Sequence, residues 1–220
     1  MLTRAELPLL CAELEALPSV EGPVVIAGGY VRDLFLGRKP KDLDVFLDGG
    51  CYLDTVGKLT AHNIIRHLGP GWFVSSYIPG YDSWSVDIDQ VVKLTYLGPK
   101  EENRLGVHEV DLVFMNRDAM LQAGYTPQAF SSPGFGPPLL QRMTFLQAVL
   151  LRVDLRLNAV GCSSSGSFAE APGWRDDVSE QRMVIQWERA GEFQERITKR
   201  LKRLTCMGGK YEGWRTYVEG

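Results

Sequence analysis

The sequence predicts an α/β (α+β) fold, a mixed sheet with flanking helices followed by a small helical C-terminal part. Three observations carry that expectation. The apolar run Val24-Val25-Ile26-Ala27 lies between Pro23 and the pair Gly28-Gly29, is too short for a lone helix, and reads as a fully buried strand. Segments 42–47 and 107–115 place carboxylates and apolar residues alternately, the period of two that a sheet with one covered face requires. Leu7, Leu10, Leu14 and Leu17 recur with helical spacing and stop before Pro18.

Taken in order, Thr3 followed by Glu6 is a capping box that opens a helix over 3–17. After the first strand, Gly28 and Gly29 turn the chain. Without a Cβ they tolerate positive φ and let another molecule approach, and the N–H groups of the next helix point outward as an anion site. Val31, Leu34 and Phe35 give this 29–37 helix an inward face; Gly37 is placed to end it and Pro40 forbids its continuation. The strand that follows turns Asp42 and Asp44 one way, Leu43 and Val45 the other. Residues 53–68 read as a helix on which His62 and His67 are surface polar groups. A strand ending at Tyr96 is expected to pair with the 107–115 strand through the polar connection 98–106. Segment 124–138, crowded with Gly, Pro, Ser and aromatics, is expected to be a surface loop over the sheet, and 162–173 a second flexible loop.

With 220 residues the chain suffices for one well-cored domain, or a domain with a small appendage. The expected division is a main domain over 1–160, which includes the N-terminal helix, and a loop and helical extension over 161–220. Cys11, Cys51, Cys162 and Cys206 lie far apart in sequence, without the close pairing of zinc or disulfide frameworks, which suits a reducing compartment. Glu6, Glu13 and Glu15 among the leucines exclude a secretory signal, and no apolar run spans a bilayer; the expected location is the cytoplasm. A net charge of −3 argues against a general nucleic-acid coat. On a helix read near 180–205, however, Arg196, Lys199, Arg200 and Arg203 form a basic stripe beside an apolar one of Phe193, Ile197, Leu201 and Leu204. With Lys202, Lys210, Tyr211 and Trp214 it reads either as a grip on an RNA backbone and terminal base or as a solvated face and packed tail.

Asp42 and Asp44 are the sharpest chemical signal. Two carboxylates side by side repel unless one stays protonated or a cation lies between them, so the pair is most economically explained by divalent metal. Oxygen-only ligands favour Mg2+ or Mn2+, and a two-metal site sets its ions roughly 3.5–4 Å apart. Asp111, sharing a face with Glu109 within an apolar run, is the candidate third ligand, because a buried charge without a partner cation is costly. Asp87 and Asp89 alternate in the same way and remain rivals, but no glycine turn precedes them.

Gly-Gly-x-Val-Arg-Asp at 28–33, Leu-Gly-Arg at 36–38 and Lys-Asp-x-Asp at 41–44 resemble the polymerase-β nucleotidyltransferase superfamily, most closely the tRNA nucleotidyltransferase and bacterial poly(A) polymerase class. A second segment, Arg152-Val153-Asp154-Leu155-Arg156-Leu157-Asn158-Ala159, resembles that class's Arg-Arg-Asp-Phe-Thr-x-Asn-Ala motif, with Val153 for an arginine and Leu155 for phenylalanine. The resemblance implies that Arg152, Asp154 and Asn158 contact the ribose and triphosphate of an incoming nucleotide. It weakly matches Gly173-Trp174-Arg175-Asp176-Asp177-Val178 to a Gly-x-x-Asp-Leu element. No counterpart of the base-selecting motif follows residue 178, and members of the class are considerably longer, so the chain resembles a minimal, truncated one.

What the resemblance implies is metal-dependent transfer of a nucleoside monophosphate from an NTP to a hydroxyl, first of all an RNA (tRNA) 3′ end, with release of pyrophosphate. Asp42, Asp44 and Asp111 are the expected catalytic metal ligands for two Mg2+ or Mn2+ ions; Gly28, Gly29 and Arg32 are expected to hold the triphosphate, and Lys199, Arg200 and Arg203 the RNA. The alternatives are a toxin- or phage-type transferase that modifies a protein or small molecule, and a catalytically silent nucleotide-binding module. A dinucleotide-binding oxidoreductase is disfavoured, since Gly-x-Gly-x-x-Gly spacing is absent after Ile26.

Overall fold

In a computed structural model that describes residues 1–48, 54–79, 88–116, 144–153, 155–186 and 211–219, the chain builds one seven-stranded mixed sheet and a separate two-stranded one. The strands are β1 (Val24–Ala27), β2 (Asp42–Asp48), β3 (Trp72–Pro79), β4 (Ile88–Tyr96), β5 (Glu109–Met115), β6 (Val160–Ser163), β7 (Phe168–Glu170), β8 (Arg182–Gln186) and β9 (Arg215–Glu219). The large sheet has the order β3-β4-β5-β2-β1-β6-β7. Only β2 and β5 pair in parallel there; the other neighbours are antiparallel. The helices are α1 (Glu6–Glu15), α2 (Gly29–Phe35), α3 (Asp54–Leu68), α4 (Phe145–Arg152) and α5 (Trp174–Ser179).

β1 lies between β2 and β6 and is buried at all four residues, because both faces of the sheet are covered there. Val24 and Ile26 join a core with Leu7, Leu10 and Leu14 of α1 and with Leu43, Val45 and Leu47 of β2. Val25 and Ala27 face the other way, into a second cluster with Phe145, Leu146, Val149 and Leu150 of α4 and Val113 and Met115 of β5. Each leucine so buried on α1 contributes on the order of 1.5–3 kcal/mol, enough to hold a ten-residue helix that is marginal by itself. α4 opens with a capping box, Thr144 Oγ1 accepting from Gln147 N while Gln147 Oε1 accepts from Thr144 N.

Several sequence expectations change in detail. The N-terminal helix is shorter than 3–17: Glu6 Oε2 accepts from Thr3 N and Oγ1 (both 2.7 Å), but the backbone N–H of Glu6 bonds Thr3 O, so residues 3–6 form a turn ahead of it. The glycine-turn helix ends at Phe35, with Gly37 at φ +65° beyond it. It buries Tyr30 as well as Val31, the Tyr30 hydroxyl donating to Leu105 O at 2.8 Å. Segment 162–173 is not one loop: Cys162 belongs to β6, and a tight turn at 164–167 returns the chain as β7. The sheet therefore runs on past residue 160. Residues 182–186, read as the start of a helix, form a strand that pairs in parallel with β9. Its Met183 and Ile185 pack with Leu155, Leu157 and Tyr211 in a small third core. The rest of that helix and the 124–138 loop lie outside the described residues.

Cys11 and Cys162, distant in sequence, meet in the core as free thiols, Cys11 Sγ donating to Cys162 O at 3.8 Å. The neighbouring Cys11 thiol and burial both push the Cys162 thiol up. On α3, His62 bonds Lys58 O and His67 bonds Glu13, as surface polar groups do. Among the described residues no helix is long and apolar enough to cross a membrane.

Candidate active site

The acids of β2 stand where strand alternation puts them. Leu43, Val45 and Leu47 are buried in the core shared with α1, α2 and α3, while Asp42, Asp44 and Phe46 lie on the opposite face, half-buried. Register then fixes their neighbours. Ala27 of β1 pairs with Asp44, Asp44 with Asp111 of β5, and Asp111 with Lys93 of β4, so the four residues form one row across one face. Asp42 pairs with Glu109 in the next row. Lys93 Nζ donates to both oxygens of Asp111, at 2.8 and 3.1 Å. Lys41 Nζ is 3.8 Å from Asp42 Oδ2, an exposed pair that contributes little.

The glycine turn closes over this pair. Gly28 has φ +91° and ψ −145°, a conformation reserved for a residue without Cβ, and a Cβ built there would stand 2.9 Å from Asp44 Oδ2. One on Gly29 would stand 3.9 Å from Asp42 Oδ1 and 3.6 Å from Arg32 Nη2. Both glycines thus face the two acids. The Gly28 N–H, just ahead of the helix, donates to Val160 O at 3.0 Å and ties the turn to β6.

Arg32 is more buried than its place on a short helix suggested. Its side chain is 6% exposed, and its Nε donates to Asp33 Oδ1 at 2.8 Å, with Nη2 also 2.8 Å from that oxygen. Arg32 Nη1 donates to Asn158 Oδ1, which brings the 28–33 and 152–159 motifs into contact. The Tyr211 ring lies 5.3 Å from the Arg32 guanidinium and 4.4 Å from that of Arg38, and its hydroxyl is 3.3 Å from Asp33 Oδ1. Burial pushes the Tyr211 hydroxyl up to about 12. Tyr211 is therefore part of a packed tail and is not available to stack on a base; Trp214 meets its ring edge-on at 5.1 Å.

Asn158 ends a 3₁₀ turn (Arg156–Asn158) anchored from both sides. Arg156 donates to the fully buried Asp177 through Nε (2.6 Å) and Nη2 (2.9 Å), and Trp174 Nε1 donates to Leu157 O at 2.9 Å. Arg152 is the last residue of α4. Asp154, Lys199, Arg200, Arg203 and Asp87 lie outside the described residues. Asp89 occupies a bulge level with Phe114 and Met115, some four strand positions from the row of Asp111, roughly 13 Å along the sheet. It stands apart from the two acids.

Sequence reasoning missed Asp33, Lys93 and Asp177. Asp33 was visible inside the Val-Arg-Asp motif and Asp177 inside the weak match at 173–178, without a role for either; nothing local marked Lys93, whose partner is 18 residues away. Among the described residues no three His, Cys, Asp or Glu side chains stand together as a ready metal cage. The donor chemistry nevertheless fits a hard divalent ion at Asp42 and Asp44: two carboxylates on one face, beneath a turn with no side chains to fill the space.

No family profile matches the sequence, and no curated protein matches it. Solved structures do. A tRNA-processing enzyme in an apo form superposes with a TM-score of 0.55 at 17% identity, over 99% of this chain and 45% of that one. The Thermotoga maritima CCA-adding enzyme complexed with tRNA gives 0.53 at 17% identity, over 98% and 39%. A CCA-adding enzyme in complex with ATP gives 0.53 at 19% identity, over 97% and 39%. The chain spans less than half the length of each, and the fold it shares with them is the nucleotidyltransferase fold.

Proposed function

We propose that this chain, which has the fold of the CCA-adding enzymes, is a nucleotidyltransferase that moves a nucleoside monophosphate from an NTP to the 3′ hydroxyl of an RNA, with tRNA the foremost acceptor. The observation that carries this reading is the Asp42–Asp44 pair facing the Gly28–Gly29 turn, with Asp44 Oδ2 2.9 Å from where a Gly28 Cβ would stand. In the reaction the acceptor oxygen bonds the α-phosphorus, the bond from that phosphorus to the α,β-bridging oxygen breaks, pyrophosphate leaves, and the hydroxyl proton passes to solvent. Catalysis of this kind is positioning and charge neutralisation, so no nucleophilic side chain is required.

Asp42 and Asp44 would hold divalent metal, which supplies charge neutralisation at the phosphates and polarises the acceptor hydroxyl. Asp111, beside Asp44 in the adjoining strand, is the third carboxylate of that face. Gly28 and Gly29 leave space for the triphosphate, and Arg32 borders that space through Nη2 while Asp33 and Asn158 fix its guanidinium plane. For the residues outside the described ones, the motif supports nucleotide contacts by Asp154, together with Arg152, and the basic stripe supports RNA contacts by Lys199, Arg200 and Arg203. The cytoplasm is the compartment where such an acceptor is found.

The test is incubation with each labelled NTP and Mg2+ in the presence of tRNA, bulk RNA and protein extract. Label is expected in the RNA fraction, and D42N or D44N should lower it at least 100-fold with an unchanged circular dichroism spectrum. Label confined to protein or a small molecule would replace the RNA acceptor, and absence of both label and NTP binding would leave a silent module.

A further inference from the structure

We infer that Lys93 is a positioning residue that withholds Asp111 from the metal set, so that the site takes one tightly held divalent ion, on Asp42 and Asp44, and uses the Lys93 ammonium as its second positive charge. This rests on the nucleotidyltransferase reading above and departs from the two ions expected of it.

Asp111 is the direct strand neighbour of Asp44, and on register alone it belongs with the β2 acids. Its side chain is committed elsewhere. Both carboxylate oxygens accept from Lys93 Nζ, at 2.8 and 3.1 Å, and Lys93 is the residue paired with Asp111 across β4 and β5. The pair is only partly exposed, at 38% for Lys93 and 24% for Asp111, so solvent screens it less than a surface bridge.

Charge leads to the same count. Asp42, Asp44, Asp111 and Glu109 carry four negative charges and Lys41 and Lys93 two positive, while Arg32 and Asp33 cancel, a net −2 that one divalent ion neutralises. A second ion on Asp111 would stand one strand spacing from an ammonium, with the same carboxylate divided between them. Lysine is a compact, strongly hydrated point charge with three donors, suited to holding a carboxylate and facing a phosphate oxygen at once.

The experiment is a Mn2+ titration of the whole chain, followed by calorimetry and by the electron paramagnetic resonance signal of free Mn2+, for wild type, K93R and K93M. One tightly bound ion is expected in wild type and K93R, and two in K93M, whose near-isosteric side chain leaves Asp111 without its cation. Two ions in wild type would overturn the inference without recourse to a variant, and one ion in a folded K93M would overturn it equally. In either case label transfer to RNA would leave the nucleotidyltransferase reading standing, whereas no bound Mn2+ together with no label would sink both.

Discussion

At Gly28 the backbone holds φ +91°, and any Cβ meets Asp44 Oδ2 at 2.9 Å. G28A must therefore strain the backbone and displace a carboxylate together. The strain costs on the order of 1–3 kcal/mol, which for a chain of this size lowers the unfolding midpoint by about 3–10 °C. Transfer is expected to fall at least tenfold, more than that loss of stability explains at a temperature where the variant remains folded. A scan showing a wild-type midpoint and wild-type turnover would refute the close approach. Asp42 and Asp44 were legible in the sequence, because alternation in a strand is a local property. Lys93 was not: an isolated lysine in an alternating strand reads as a solvated side chain, and only the pairing of β4 with β5 gives it Asp111.

Elements too short to stand alone are fastened here by buried charge. α5 has six residues and relies on Trp174 in the core and on Asp177, which takes two bonds from Arg156 and lies 3.2 Å from Arg182 Nε. Removing that carboxylate leaves Arg156 and Arg182 without their shared counter-charge. D177A is expected to cost about 3–5 kcal/mol in urea unfolding, and a midpoint within error of wild type would show that the arginines find water instead. The C-terminal strand shows the same dependence through Tyr211. Burial raises both Tyr211 and Tyr30 from about 10 to about 12, so the folded state favours their protonated forms. Their contribution is complete below about 10 and is lost as pH rises toward 12. Stability should therefore fall over that window, and Y211F should fall less steeply than wild type when midpoints are compared from pH 9 to 12. Identical slopes would mean that Tyr211 ionises as freely folded as unfolded. From sequence the element types at 24–27, 42–47 and 107–115 were clear, yet 182–186 was read as helix, because its apolar residues suit either period until β9 supplies a parallel partner.

Across the molecule, the sheet order places β1 and β2 at the centre, the β3–β4 hairpin on one side and β6–β7 on the other. α1, α2 and α3 cover one face and α4 packs on the other, where the row from Ala27 to Lys93 also lies. The Asp42–Asp44 pair therefore lies beside the fully buried β1, and the 152–159 segment meets the glycine-turn helix through the bond from Arg32 to Asn158.

The sequence by itself determined the strand–turn–helix–strand unit at 24–47, the facing of Asp42 and Asp44, and the alternation that exposes Asp111, since each follows from spacing within a few residues. Tertiary structure alone decided that Asp111 lies beside Asp44 and is held by Lys93, that Arg32 is enclosed by Asp33, Asn158 and Tyr211, and that Cys11 meets Cys162. Those outcomes depend on register and burial between segments far apart in the chain, and no local period encodes which distant strand will come to lie alongside.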